Sequence, residues 1–177
     1  MSVAFLLSSL PSLEFGASAP LSVADYRARC ECINGINLKD FDAVEAGIPG
    51  SHSFTLAYSN ALTEFKNVTA FYRASKWEGE DIRIQERSIS DYHVDLRKKI
   101  TEACGEKNPL KREAALEQVR WQMAEELAGM GYFSEAKAYA YIIKLQINSR
   151  LSSLSDELGK KAIEEFINAN DQEVVQN

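Results

Sequence analysis

The residues best suited to metal chemistry are Cys30, Cys32, Cys104, His52 and His93, and their spacing does not assemble a site. A structural zinc centre draws its ligands from two short-spaced pairs, whereas here only Cys30 and Cys32 lie close together. On a helix, residues two apart point away from each other, so this pair is expected to be plain thiols without metal. Among motifs that carry catalysis, no Gly-x-Ser-x-Gly elbow, no Gly-rich phosphate loop and no His-Glu-x-x-His is present. His93 has Asp91 and Asp95 beside it, but two-residue spacing on a helix sets them on different faces. The carboxylate pairs Glu125-Glu126 and Glu164-Glu165 are expected to face outward on amphipathic helices. A carboxylate-bridged di-metal bundle also needs Glu-x-x-His, which does not occur. The expectation is a chain that is not an enzyme and has no catalytic residue, cofactor or metal.

The charged groups that interrupt apolar surroundings are more informative. Arg120 precedes Trp121, Lys144 and Gln146 interrupt the apolar run 138–147, and Arg150 follows. Glu117 lies three residues before Arg120, a spacing that permits an ion pair within one helix. One reading lays the long stems on the core and carries the charges to solvent. The other pairs Arg120 or Lys144 with Glu125 or Glu126, extended by Arg150, to fix how two helices meet. Either way Arg120, Glu125, Lys144 and Arg150 are candidates for a partner interface or for helix register, not for chemistry.

The elements that position these groups read as helices. Asn108 is a suitable N-cap and Pro109 a suitable first residue, because the N–H that proline lacks would be unpaired there anyway. Leu116, Val119, Met123, Leu127 and Met130 then recur at helical steps and predict one buried face. Gly129 and Gly131 end that helix, and Ser134 caps the next. The run from Ala138 to Ile147 is apolar on nearly every side, which predicts a short helix buried among others, with Trp121, Tyr139, Ile143 and Ile147 in the core. Upstream, Ser22 with Asp25 and Asn37 with Asp40 mark two helix starts, stopped at Asn34-Gly35 and Gly47. Phe54, Tyr58, Ala61, Phe65, Val68 and Tyr72 form a heptad seam, widened by Ala57, Leu62 and Phe71. Helices over 54–78, ending near Gly79, and over 81–104 are expected to form an antiparallel hairpin. Val3 to Leu7 read as a short strand or an extended tail pinned to the core, within an N-terminal extended segment and loop over 1–20. Helix is expected to reach about Asn168, with a restart at Ser153, and 169–177 to fray. The predicted fold class is all-α: a single domain over 1–177, a bundle of long antiparallel helices with a short extended N-terminal segment.

Whole-chain quantities agree. The 177 residues suit one domain, and 45% hydrophobic with 26% charged residues is ordinary for a globular protein. A net charge of −6 argues against nucleic-acid binding, which rests on excess Lys and Arg. Three cysteines leave an odd thiol and suit a reducing compartment. The apolar stretch Val3 to Leu7 is too short for a signal peptide, no basic residue precedes it, and Pro11 follows it. No apolar run is long enough to span a bilayer. A cytoplasmic protein without direct membrane insertion is expected.

The series Asn108-Pro109-Leu110, Arg112-Glu113, Leu116, Arg120-Trp121, Glu125-Glu126-Leu127, Tyr132-Phe133, Ala138-Tyr139-Ala140-Tyr141, Lys144-Leu145-Gln146-Ile147 and Arg150 resembles small proteins encoded beside V-type (A-type) ATP synthase subunits in bacteria. Phe5-Leu6-Leu7-Ser8-Ser9-Leu10-Pro11 is similar to the opening of that family. The resemblance is strongest over 108–151 and 3–13. It implies a role like that of the C subunit (the d subunit of eukaryotic enzymes), the helical connector between central stalk and membrane rotor ring. The implied partners are the V/A-type ATPase central-stalk subunits and the rotor ring, with peripheral attachment to the inner membrane through that complex. A free-standing helical adaptor or assembly chaperone for the complex is the alternative.

Overall fold

Among the described residues seven helices follow one another, each begun or ended by an identifiable local device. The structure is a computed structural model, and it describes residues 1–77, 86–88 and 94–154. The helices are α1 (Val3–Ser9), α2 (Val23–Glu31), α3 (Leu38–Ala46), α4 (Ser53–Ser75), α5 (Val94–Cys104), α6 (Pro109–Ala128) and α7 (Glu135–Ser153). No strand occurs among the described residues, so the fold class is all-α.

Caps account for most of the boundaries. Ser22 accepts from the Asp25 N–H while the Asp25 carboxylate accepts from Ser22, a reciprocal capping box. Asn108 accepts from the Lys111 N–H at 3.0 Å, with Pro109 in the first turn of α6. Ser134 accepts from Lys137 at 3.3 Å to start α7. Gly47, at φ +66°, closes α3 in the left-handed region, where a Cβ would also lie 2.6 Å from the Leu62 side chain.

Two apolar clusters lie side by side, and α4 and α6 run through both. The larger joins Leu6, Tyr26, Phe41, Phe54, Tyr58, Trp121, Tyr139, Ile143 and Ile147. The smaller joins Phe65 and Val68 of α4, Ile100, Ala103 and Cys104 of α5, and Leu116 and Val119 of α6. The α4 heptad seam explains this division: Phe54, Tyr58 and Ala61 face the first cluster, and Phe65 and Val68 the second. Helix α7 packs against α1, α2, α3, α4 and α6. That is why its run from Ala138 is apolar on nearly every side and why Ile142, Ile143 and Leu145 have no exposed surface.

Four expectations differ from the structure. Residues 3–9 are helical, not extended: Ser2 caps α1 and Leu6 is buried. Only the first two residues run alongside another segment, through a Ser2–Asn34 bridge and a 2.8 Å bond from the Asn34 N–H to the Met1 carbonyl. With no sheet to join, a helix pairs this segment's backbone groups internally. Helix α4 stops at Ser75, and 86–88 are not helical, so no unbroken helix covers 81–104. Helix α7 ends at Ser153, where a restart is expected, and Gly79, His93, Glu164-Glu165 and the stretch beyond Leu154, including the frayed tail, lie outside the described residues. Met130 does not continue the buried face of α6, because the helix ends at Ala128 and Gly129 turns the chain at φ +68°; Met130 is 95% exposed.

Candidate functional site

The charged residues singled out in the sequence meet along one seam between α6 and α7. Pairing partners descend on α6, from Glu125 to Glu117 to Glu113, as they ascend on α7 from Lys144 to Arg150, so the two helices are antiparallel. At one end the Lys144 Nζ lies 2.6 Å from Glu125 Oε1 and 4.7 Å from the centre of the Trp121 ring. The Trp121 Nε1–H donates to the same carboxylate oxygen at 3.1 Å. Burial works to raise the Glu125 pKa, but these two donors and the lysine charge outweigh it and hold the carboxyl below its usual range. Phe15 meets the Trp121 ring edge-on, with centroids 5.6 Å apart.

At the other end the partners are deeper. Glu117, whose side chain is 2% exposed, accepts from Arg120 Nη1 at 2.9 Å and lies 3.1 Å from Arg150 Nη1. Arg150 Nη2 reaches Glu113. Arg120 Nη2 donates to the Tyr58 hydroxyl of α4 at 3.2 Å, tying the seam to the heptad helix. Burial would lower the Arg120 pKa, yet Tyr58 and Glu117 together raise it, so the guanidinium stays charged. Arg120 therefore pairs with Glu117 and not with Glu125 or Glu126, and Glu126 instead meets Lys99 of α5 at 2.9 Å. Arg120, Glu125, Lys144 and Arg150 share one seam, but as two separate groups.

A second polar centre escaped the sequence reading. Asn37 and Asp40 look like one capping device, but Asn37 accepts from Lys39 while the buried Asp40 carboxylate turns to the start of α4. It accepts from the backbone N–H of Ser51 and His52 and from the hydroxyls of Ser51 and Thr55. Burial works to raise its pKa, and these four donors reverse that, leaving the carboxyl below its usual range. Gly50 is required beside it, since a Cβ there would overlap Asp40 Oδ1 and lie 2.6 Å from Thr55 Oγ1. The signal was non-local: an acid eleven residues ahead of a Ser-His-Ser helix start. His52 completes that start by accepting the Phe54 N–H at Nδ1, 3.1 Å away, while Nε2 lies 3.5 Å from Glu135.

Two further polar devices strap the N-terminal stretch down. Asn148, buried on α7, donates to the Glu14 carbonyl and accepts from the Gly16 N–H. The Tyr141 hydroxyl donates to the Pro11 carbonyl. Cys30 is buried and Cys32 exposed, while Cys104 belongs to the smaller cluster. Among the described residues no group of three or more His, Cys, Asp or Glu is placed to hold a metal ion.

This geometry defines an all-helical scaffold whose inward-facing charges are engaged by partners on its own helices. Within that class, the chain belongs to the family described as protein of unknown function (DUF2764), whose model matches residues 62–174, more than half of its length. The match takes in most of α4 and all of α5, α6 and α7. No curated protein and no solved structure matches the chain.

Proposed function

We propose that this protein is a non-catalytic subunit or accessory protein of a bacterial V/A-type ATPase, acting like the C subunit as a connector between central stalk and membrane rotor ring. The observation that supports this reading is the form taken by 108–151, the segment with the strongest resemblance. It folds into the α6–α7 hairpin, pinned by ion pairs along its seam and ending in an exposed apolar turn. A connector under torque must hold two long helices in register, and inter-helix ion pairs backed by a buried apolar helix do so. In that turn Met130, Tyr132 and Phe133 are 95%, 87% and 58% exposed, a cluster of the kind that marks protein contacts. No helix among the described residues is long and apolar enough to cross a membrane, so in this reading attachment to the rotor ring is peripheral.

Affinity purification from native membranes of a bacterium encoding both the protein and the ATPase tests the proposal. The protein is expected to stay with stalk and rotor subunits, at fixed stoichiometry, through detergent extraction. Recovery only at sub-stoichiometric, salt-labile levels would assign it to assembly. Absence of the folded wild-type protein from every stalk and rotor fraction would remove the proposal.

A further inference from the structure

We infer that the groove between α4 and α6 is a docking site for an acidic amphipathic helix of a partner protein. Two adjoining cavities of about 510 and 390 Å³ share Thr69, Arg73, Glu113 and Leu116 in their walls, so they form one continuous channel. Along it α4 presents Leu62, Lys66, Thr69, Arg73 and Lys76, spaced 4, 3, 4 and 3, a single helical face about 21 Å long at 1.5 Å per residue. That length holds about four turns of a second helix.

The floor and the rim differ in kind. Leu62, Phe65 and Leu116 supply apolar surface below. Arg120 and Arg150 are engaged by Glu117 and Glu113. That leaves Lys66, Arg73, Lys76 and Arg112 on the walls, with Glu45 as the remaining lining carboxylate. None of these four cations forms an ion pair with a described residue, and Lys76 lies over the Tyr72 ring instead. On a chain of net charge −6, the groove is thus a local excess of positive charge. Trp77, 69% exposed, stands at its far end. Tryptophan and arginine are the residue types that most often dominate binding energy at interfaces. An apolar floor with cationic walls complements a helix whose apolar stripe is flanked by Asp or Glu, the helix-in-groove mode. A phosphodiester backbone would leave that floor uncovered. The inference stands independently of the rotary-ATPase reading, since it names the chemistry of a partner segment and not the complex that supplies it.

The test uses the full-length protein and a fluorescein-labelled helical peptide of about 15 residues, with leucines on one stripe and glutamates flanking it. A second peptide carries lysine at every glutamate position. By anisotropy the acidic peptide is expected to bind and the basic one not. Affinity should fall as salt rises from about 50 to 300 mM. The Lys66→Glu/Arg73→Glu variant should bind at least about tenfold more weakly, with helical signal and melting temperature unchanged because both residues are exposed. Equal binding of the two peptides, or unchanged binding by that variant, overturns the inference. So does a single-stranded DNA competing as well as the peptide, or a wild-type dimer in light scattering that the variant abolishes. A carbodiimide cross-link within the monomer, from Lys66 to a carboxylate of 155–177, would also overturn it by showing the groove already occupied.

Discussion

Single residues here act mainly through buried charges whose partners are fixed. Asp40 is held ionised by four donors at the start of α4, and hydrogen bonds to a charged group contribute more than neutral ones. Asp40→Asn should therefore cost about 2–3 kcal/mol in urea denaturation at neutral pH. Its folded pKa lies below the unfolded value of about 3.9, so its stabilisation is full above that value and is lost as pH falls through the folded one. The gap between wild type and Asp40→Asn should then narrow progressively on acidification below about pH 4, and a gap independent of pH would contradict this account. Glu117 is a sharper case, since it neutralises a largely buried Arg120. Glu117→Gln should lose about 3 kcal/mol, and adding Arg120→Met should recover part of it, because an unpaired buried charge costs more than an absent pair. Additive losses in that double-mutant cycle would count against the seam. The thiols separate by burial. Cys32 is exposed, while burial pushes the Cys30 thiol up to about 11 and raises Cys104, so a maleimide at neutral pH should label Cys32 first.

Elements take their roles from how many neighbours they must satisfy. Helix α7 packs against five others, so Ile142, Ile143 and Leu145 have no exposed surface. Ile143→Ala should cost about 2–5 kcal/mol, with the upper end expected where the surroundings cannot collapse into the cavity. A loss below about 1 kcal/mol in chemical denaturation would show that α7 rearranges freely. Helix α4 has the opposite character: one seam is buried in two clusters and another face lines an open groove. Its inward face holds the bundle together, and its outward face is the one the proposed partner helix would meet.

For the whole molecule, the apolar α6–α7 turn lies apart from the basic groove, whose wall takes in the deeper end of the charged seam at Glu113, Glu117, Arg120 and Arg150. If the α6–α7 turn meets a stalk or rotor subunit, Met130→Ser/Tyr132→Ser/Phe133→Ser should weaken that association while leaving the melting temperature nearly unchanged, because these side chains are exposed. Pull-down at full strength by the folded triple variant would move the contact elsewhere. Charge reversal at Lys144 should behave differently. Its Nζ is shared by Glu125 and the Trp121 ring, so melting temperature and association are expected to fall together.

Local sequence determined where most of the helices start and much of the core, though not α1, the end of α4 or the exposure of Met130. Asn108-Pro109, Ser134, the Ser22/Asp25 box and Gly47 are short-range signals, each completed within about one helical turn. The buried state of Trp121, Tyr139, Ile143 and Ile147 was legible because they lie in the most apolar part of the chain, where a helix apolar on nearly every side must be covered by others. The N-terminal helix was not, because seven residues carry too little periodicity to separate helix from strand. Nor was the choice of partners across helices. Spacing permitted the Glu117–Arg120 pair within α6, but only the packing of α6 against α4 and α7 decided that Arg120 also meets Tyr58 and that Glu117 also meets Arg150. Asp40 reaches the start of α4 only because α3 folds back on it, and the basic groove exists only because α4 and α6 lie side by side. Contacts between distant segments depend on how helices pack, and helix packing allows several crossing geometries for one apolar pattern.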